Sequence, residues 1–320
     1  PRVIVPRHPD LDAGDPCDAD LDPGAAADRT RPPPAAAPEA SHPWDEAAAG
    51  WDRHSPMLRT WLHGVTQQML DACDIRPGAR VLDVAAGAGD QTLDIAERVG
   101  PAGVVVASDI SPRILALARE RFQRAGFTWV TTEVADAEAL TLAGAAFETD
   151  FDAAVCRLGL MFCTRPQAAL AGLHAALRPG GRLGVIVFSE AARNPCITVL
   201  MDTARRHAGL APLPHAPAGS LLSLGPPGLM ARLLAQAGFV DIDVRPVAAP
   251  MHLPSRSVYT HFTKSAGQPV MALLAPLSAA AQVAAWHDIE EGLDLYSTPG
   301  GWVGPNELLL CTATRPHGRP

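Results

Sequence analysis

Val81-Leu82-Asp83-Val84-Ala85-Ala86-Gly87-Ala88-Gly89-Asp90 is an apolar run that gives way to small residues and ends on a carboxylate. The order predicts a buried strand, a turn and a helix opening at Asp90. Glycines at such a turn leave no Cβ between the backbone and a ligand, and the N–H groups that open the helix face whatever lies there. An ordinary tight strand-to-helix turn in some other α/β protein is the plain alternative, so the following segments decide.

A dinucleotide-binding turn requires a third glycine three residues after the second, where helix and strand pack closest. That position is Thr92, so the pyrophosphate fingerprint is incomplete. The segment instead resembles motif I of the class I S-adenosylmethionine-dependent methyltransferases. Asp83 takes the acidic position, and Ala85, Gly87 and Gly89 take the small ones. Ala85 stands where many members carry glycine, a departure expected to narrow the turn only slightly.

Val104-Val105-Val106-Ala107-Ser108-Asp109 is a second apolar strand ending in a carboxylate. An acid at that tip can accept two hydrogen bonds from a ribose diol, in dinucleotide folds and methyltransferases alike. Asp109, with Ile110 beside it, is therefore assigned to a nucleoside. Ser111, directly before Pro112, suits an N-cap. Thr128 to Val134 alternates as a third strand, followed by Ala135-Asp136-Ala137. The resemblance implies that Asp136 accepts from the adenine amine and that the Ala137 N–H meets a ring nitrogen. Taken alone, an Asp after a strand is a turn or cap residue.

Phe151 to Cys156 forms a fourth strand that the chain leaves as Arg157-Leu158-Gly159-Leu160-Met161-Phe162. In open α/β sheets the ligand sits beyond the carboxyl ends of the strands, where the strand order reverses. Cys156 to Leu158 should then border the methionine end of the cofactor, and Arg157 could meet a carboxylate there. The Asn/Asp-Pro-Pro-aromatic tetrapeptide of methyltransferases acting on nucleobase or amide nitrogens does not occur. A fifth strand, Gly184 to Phe188, follows Arg178-Pro179-Gly180-Gly181. From Phe151 to Phe188 the chain resembles the ubiquinone/menaquinone C-methyltransferase group and its small-molecule relatives. The resemblance covers roughly residues 50 to 190 well and 240 to 315 loosely.

The fold expected is α/β: a doubly wound, mostly parallel, seven-stranded Rossmann-like methyltransferase sheet with an antiparallel last strand and a helical cap. Residues 1–40, rich in Pro, Ala and Asp, cannot offset their ordering entropy and are expected to be a disordered tail. The methyltransferase domain is expected over 41–320. Within it, 41–75 are read as N-terminal lid helices, with Met57, Leu58, Trp61, Leu62, Val65 and Leu70 on one apolar face. Trp51, His54 and Arg59 are candidates to line that lid. Residues 195–236 and 250–300 are read as cap inserts over the strand ends. Phe239 to Val244 is expected as the sixth strand and Glu307 to Ala313 as the last. The apolar, Pro-rich inserts favour a small hydrophobic or aromatic acceptor over a sugar or peptide.

With 320 residues, 48% of them hydrophobic, the chain has ample material for a core. A formal charge of −8, scattered arginines and a single lysine, Lys264, offer no basic face for nucleic acid. Six cysteines without a Cys-x-x-Cys pair suggest neither zinc nor a disulfide framework, but free thiols in a reducing cytosol. No metal site is expected. Neither a signal pattern nor a membrane-spanning run is visible, so a cytoplasmic protein without integral membrane association is expected. A homodimer is left open.

Methyl transfer is an in-line displacement from a donor that is already activated, so positioning and water exclusion dominate what the protein contributes. A phenolic acceptor would benefit from a base or donor. His54, His63, His261 and His287 are the histidines placed to border a cap, and His261 is the weak candidate for catalysis; Tyr259 has no stronger case. Two other readings compete: a nicotinamide-dependent oxidoreductase, opposed by Thr92 and Asp136, and a non-catalytic or repurposed S-adenosylmethionine-binding protein.

Overall fold

Parallel strands covered on both faces read as unbroken apolar runs, and the runs above become the centre of one sheet. The computed structural model describes residues 42–140, 150–213 and 216–317. The expected tail, 1–40, lies outside them. The strands are β1 (Arg80–Val84), β2 (Val104–Asp109), β3 (Val130–Val134), β4 (Phe151–Arg157), β5 (Leu177–Phe188), β6 (Val240–Ala248), β7 (Met251–Leu253), β8 (Ser297–Thr298), β9 (Gly301–Gly304) and β10 (Glu307–Thr314). Seven form a sheet in the order β3-β2-β1-β4-β5-β10-β6, with β10 antiparallel to both neighbours. The doubly wound sheet and its reversed last strand are thus as the sequence implies.

The helices are α1 (Pro43–Ala72), α2 (Asp90–Val99), α3 (Pro112–Arg124), α4 (Pro166–Ala176), α5 (Pro195–His207), α6 (Leu229–Gln236), α7 (Arg256–Ala266), α8 (Gln268–Leu274) and α9 (Ala279–Leu293). From β1 the chain winds outward through α2 to β2 and through α3 to β3. From β4 it winds the opposite way through α4 to β5. Right-handed crossovers in opposite directions place the two helix sets on opposite faces and open a crevice where β1 and β4 lie side by side.

The stretch expected to hold lid helices forms one 30-residue helix, α1. Pro56 lies inside it and has no N–H for the Asp52 carbonyl one turn earlier. Arg121 of α3 takes that partner's place, donating to the Asp52 carbonyl at 2.9 Å and to the Asp52 carboxylate at 2.7 Å. A long-range guanidinium thus carries the helix through its proline.

The two inserts divide differently from expectation. α6 packs against α4 and β6 and belongs to the sheet's flank. The cap is built from α5, α7, α8 and α9 with a small antiparallel sheet, β7-β9-β8, which sequence reading took for helix and loop. Its own core gathers Tyr259, Ile289 and Leu293 around Trp302, which is 1% exposed and whose indole donates to the Leu293 carbonyl at 2.9 Å.

Candidate functional site

The turn after β1 runs through the left-handed region at three of its five residues: Ala85 at φ 56°, Gly87 at φ 57° and Gly89 at φ 87°. For glycine this is free of cost; for alanine it costs about 1–2 kcal/mol. The alanine departure is therefore a conformational burden as well as a change of width. Leu158, leaving β4, is held at φ 57° in the same way. Both residues border a cavity of about 430 Å³ at the carboxyl ends of the parallel strands.

Ala85, Gly87, Asp109, Ile110, Asp136, Ala137 and Arg157 all line this cavity. Asp83 and Gly89 do not. The Asp83 carboxylate, 0% exposed, accepts from Gln91 and from Thr92, the latter at 2.6 Å. Burial pushes its pKa up to about 7 despite those bonds. Asp83 thus holds the start of α2 against β1, and Thr92, in the position of a missing glycine, is one of the groups that fix it. A Cβ on Gly89 would stand 2.6 Å from the Phe122 ring, so this glycine lets α3 approach.

Asp109 is 9% exposed. One carboxylate oxygen accepts from the Gly87 N–H at 3.0 Å and the other from the Ser111 N–H at 3.0 Å. Burial raises its pKa, and those backbone donors oppose the rise. Each oxygen keeps a lone pair for a further donor. Ser111 is the N-cap of α3, with its hydroxyl 3.1 Å from the Ile114 N–H. Asp136 is exposed at the rim and caps a short 3₁₀ turn through the Glu138 N–H at 2.9 Å. Arg157 donates to the Thr66 hydroxyl of α1 at 2.8 Å; burial lowers its pKa, against the pull of Asp90, Asp83 and Asp94.

Several residues that sequence reasoning missed close the cavity. His42 caps α1 through the Trp44 N–H at 3.3 Å, and both residues line the wall. Asp45 accepts from the Ser111 hydroxyl at 2.5 Å, so the first turn of α1 is tied to the loop after β2; that bond draws its pKa down. Asp90 lines the cavity and meets Ser55 of α1 and Arg121 of α3, the latter at 2.9 Å. An Asp before a helix reads as a cap from sequence, and nothing local foretold these partners.

Of the expected lid residues, Trp51 lines the cavity, and its indole nitrogen is buried with no partner among the described residues. Arg59 turns away to Asp94 at 2.5 Å, and His54 packs against Phe262 and His261. His261 itself is exposed and lines neither this cavity nor the second one described below.

The second cavity, about 100 Å³, lies between α1, the end of β5 and the cap. It shares Trp44, Trp51, Leu58, Leu158 and Phe162 with the first, and its remaining wall is almost wholly apolar. The two spaces have a common wall made of aromatic and aliphatic side chains. No group of three or more His, Cys, Asp or Glu among the described residues could hold a metal ion. No helix among them is long and apolar enough to cross a membrane.

Residues 81–181 match the family model described as a methyltransferase domain. The ubiquinone/menaquinone biosynthesis C-methyltransferase UbiE of Ectopseudomonas mendocina is 36% identical over 158 residues, which are 49% of this chain and 60% of that protein. The chain thus spans less than two thirds of the length of this curated relative. Among solved structures, phosphoethanolamine N-methyltransferase 2 of Haemonchus contortus in complex with S-adenosyl-L-methionine is similar at a TM-score of 0.52 and 16% identity. That match covers 87% of this chain and 61% of the other. The [4+2]-cyclase SpnF is similar at a TM-score of 0.53 and 19% identity, covering 87% of this chain and 98% of the other. At these identities the structures speak for the fold alone. The chain carries a class I S-adenosylmethionine-dependent methyltransferase domain.

Proposed function

We propose that this chain transfers a methyl group from S-adenosylmethionine to carbon or oxygen of a small hydrophobic or aromatic acceptor. The single observation behind this reading is a pair of adjoining cavities, one rimmed by Asp109, Asp136 and Arg157, the other apolar, with Leu158 and Phe162 on the shared wall.

The residues fit the donor. A cavity of about 430 Å³ lies within the ~300–1,000 Å³ range of small-molecule sites. Asp109 would accept from the ribose hydroxyls, while Asp136 and the Ala137 N–H would meet the adenine edge between Ile110 and Ala137. Arg157 and the N-terminus of α2 would face the methionine carboxylate. Trp51 holds an unspent donor on the same wall. When bound, S-adenosylmethionine supplies a methyl group already activated on a sulfonium. The chain's part is then to align the acceptor and keep water out, the terms that dominate such a displacement. The apolar second cavity and the α1 lid serve those two ends. The ubiquinone/menaquinone relative supports carbon as the receiving atom.

The test is to incubate the protein with donor carrying a labelled methyl group and a panel of quinols, phenols and enols. Label in an acceptor is the expected result. Donor binding with no label in any acceptor would favour a chain that holds the cofactor for another reaction.

A further inference from the structure

Besides the indoles of Trp44, Trp51 and Trp61, the apolar cavity has three polar side chains on its wall among the described residues: Tyr259, Thr263 and Asn306. Two are spent. The Thr263 hydroxyl donates to the Tyr259 carbonyl at 3.0 Å, and the Asn306 amide donates to the Gly304 carbonyl at 3.2 Å. The Tyr259 hydroxyl has no hydrogen-bond partner among the described residues, although the residue is only 6% exposed. Its oxygen keeps some accessible surface, so a ligand on this wall can reach it and supply a partner.

The ring that carries this hydroxyl is fixed. It stacks on Trp302 with centroids 4.8 Å apart and planes 24° from parallel, and Trp302 is itself pinned by its bond to Leu293 and by Tyr296 edge-on at 6.3 Å. Burial pushes the Tyr259 pKa well above its ordinary range, so the hydroxyl keeps its proton and offers it. The neighbouring Cys196 thiol is also pushed up, to about 12, and brings no competing charge. The rest of the wall is aromatic and aliphatic, with Trp51, Trp61, Phe188 and Phe262 among it.

We propose that Tyr259 is a specificity-determining residue that donates a hydrogen bond to an oxygen of the acceptor, so that the acceptor is an aromatic or conjugated molecule bearing a phenol, enol or ketone. The proposal rests on the methyl-transfer reading above for the identity of the second cavity. An oxyanion at that place would take the bond most strongly, since hydrogen bonds to charged acceptors are about twice as strong as neutral ones. Trp51 also carries a donor without a partner among the described residues, but it stands on the wall common to both cavities and selects for neither.

The probes are naphthol and methylnaphthalene, equal in shape and different only at the hydroxyl, titrated by fluorescence into the full chain saturated with S-adenosylhomocysteine. Wild-type protein should bind naphthol about tenfold more tightly than methylnaphthalene. Tyr259→Phe should reduce that ratio to about threefold or less and leave methylnaphthalene affinity unchanged. Equal binding of the two probes by wild type would overturn the proposal without recourse to any variant. So would naphthol affinity unaffected by Tyr259→Phe, or no naphthol binding by protein that takes up S-adenosylhomocysteine. Failure to take up S-adenosylhomocysteine would instead remove the underlying methyl-transfer reading.

Discussion

The Cβ of Ala85 fills the space that a side chain at Gly159 would need: a Cβ added to Gly159 would overlap that of Ala85 and lie 3.1 Å from the Cys156 sulfur. The alanine at the tip of β1 and the glycine beyond β4 therefore form one contact across the crevice where the strand order reverses. Gly159→Ala should destabilise the protein by about 1–3 kcal/mol, the usual cost of overpacking. Ala85→Gly should raise stability by about 1 kcal/mol through its φ of 56°. Combined, the two should cost less than their sum. Denaturant unfolding of the four proteins in the cycle measures the coupling, and strict additivity would separate the two positions.

Arg121 stands in for the N–H that Pro56 lacks, and a second cycle tests that exchange. Pro56→Ala should stabilise α1 by about 1–2 kcal/mol, since an interior proline costs about 3 kcal/mol and recovers some of it from a stiffer unfolded chain. Arg121→Leu should be more damaging in the wild type than in the Pro56→Ala background. It should also speed amide exchange in the first turns of α1, because the Asp90 and Ser55 links to α3 go with it.

Asp83 makes stability pH-dependent. In the folded chain it holds its proton up to about 7, and in the unfolded chain only to about 4. Between those values the folded state binds more protons, so the contribution is most favourable in acid and declines as pH rises toward 7, by at most about 1.4 kcal/mol per unit. Asp83→Asn removes the charge, and the amide it introduces can donate to the buried, unpartnered Gln91 oxygen. The stability of wild type relative to this variant should fall between pH 4 and 7 and level off above. A difference that does not change with pH would show that Asp83 is ionised throughout.

Gly87 has room for a side chain, the nearest atom to an added Cβ being Ile114 Cδ1 at 3.9 Å, but it sits at φ 57°. Gly87→Val should therefore destabilise the turn by about 1–2 kcal/mol as well as obstruct the cavity. Thermal unfolding should record a lower Tm, and calorimetry with S-adenosylhomocysteine should record lost binding. Full affinity in this variant would take the turn out of the site.

The sheet was legible because strands buried on both faces write themselves as runs such as Val104 to Ala107 and Ala153 to Cys156. The cavity-lining positions were legible because a strand tip fixes where its last residue points: Asp109, Asp136 and Arg157 converge from three different strands. Asp83 and Gly89 belong to the same motif but face the protein, a distinction set by side-chain direction that spacing does not carry. The small sheet of β7, β8 and β9 was invisible because strands of two to four residues hold no period. The partners of Asp45 and Asp90 come from α1, α3 and the cap of α3, far along the chain, and composition has no access to such pairings. His261 reads from the sequence as a weak candidate because it lies on a helix placed to border the cap. The side chain that lines the second cavity is instead its helix neighbour Tyr259, two residues earlier, and only the packing of α7 on Trp302 distinguishes them.

The account depends most on the nucleoside seated against Asp109. Calorimetric titration with S-adenosylhomocysteine should show one site per chain, no comparable heat with NADH, and affinity weaker by about 1.5–3 kcal/mol in Asp109→Ala, the scale of hydrogen bonds lost to a charged group. Folded wild-type protein that gives no heat with S-adenosylhomocysteine, or binds it equally well after Asp109→Ala, would contradict it.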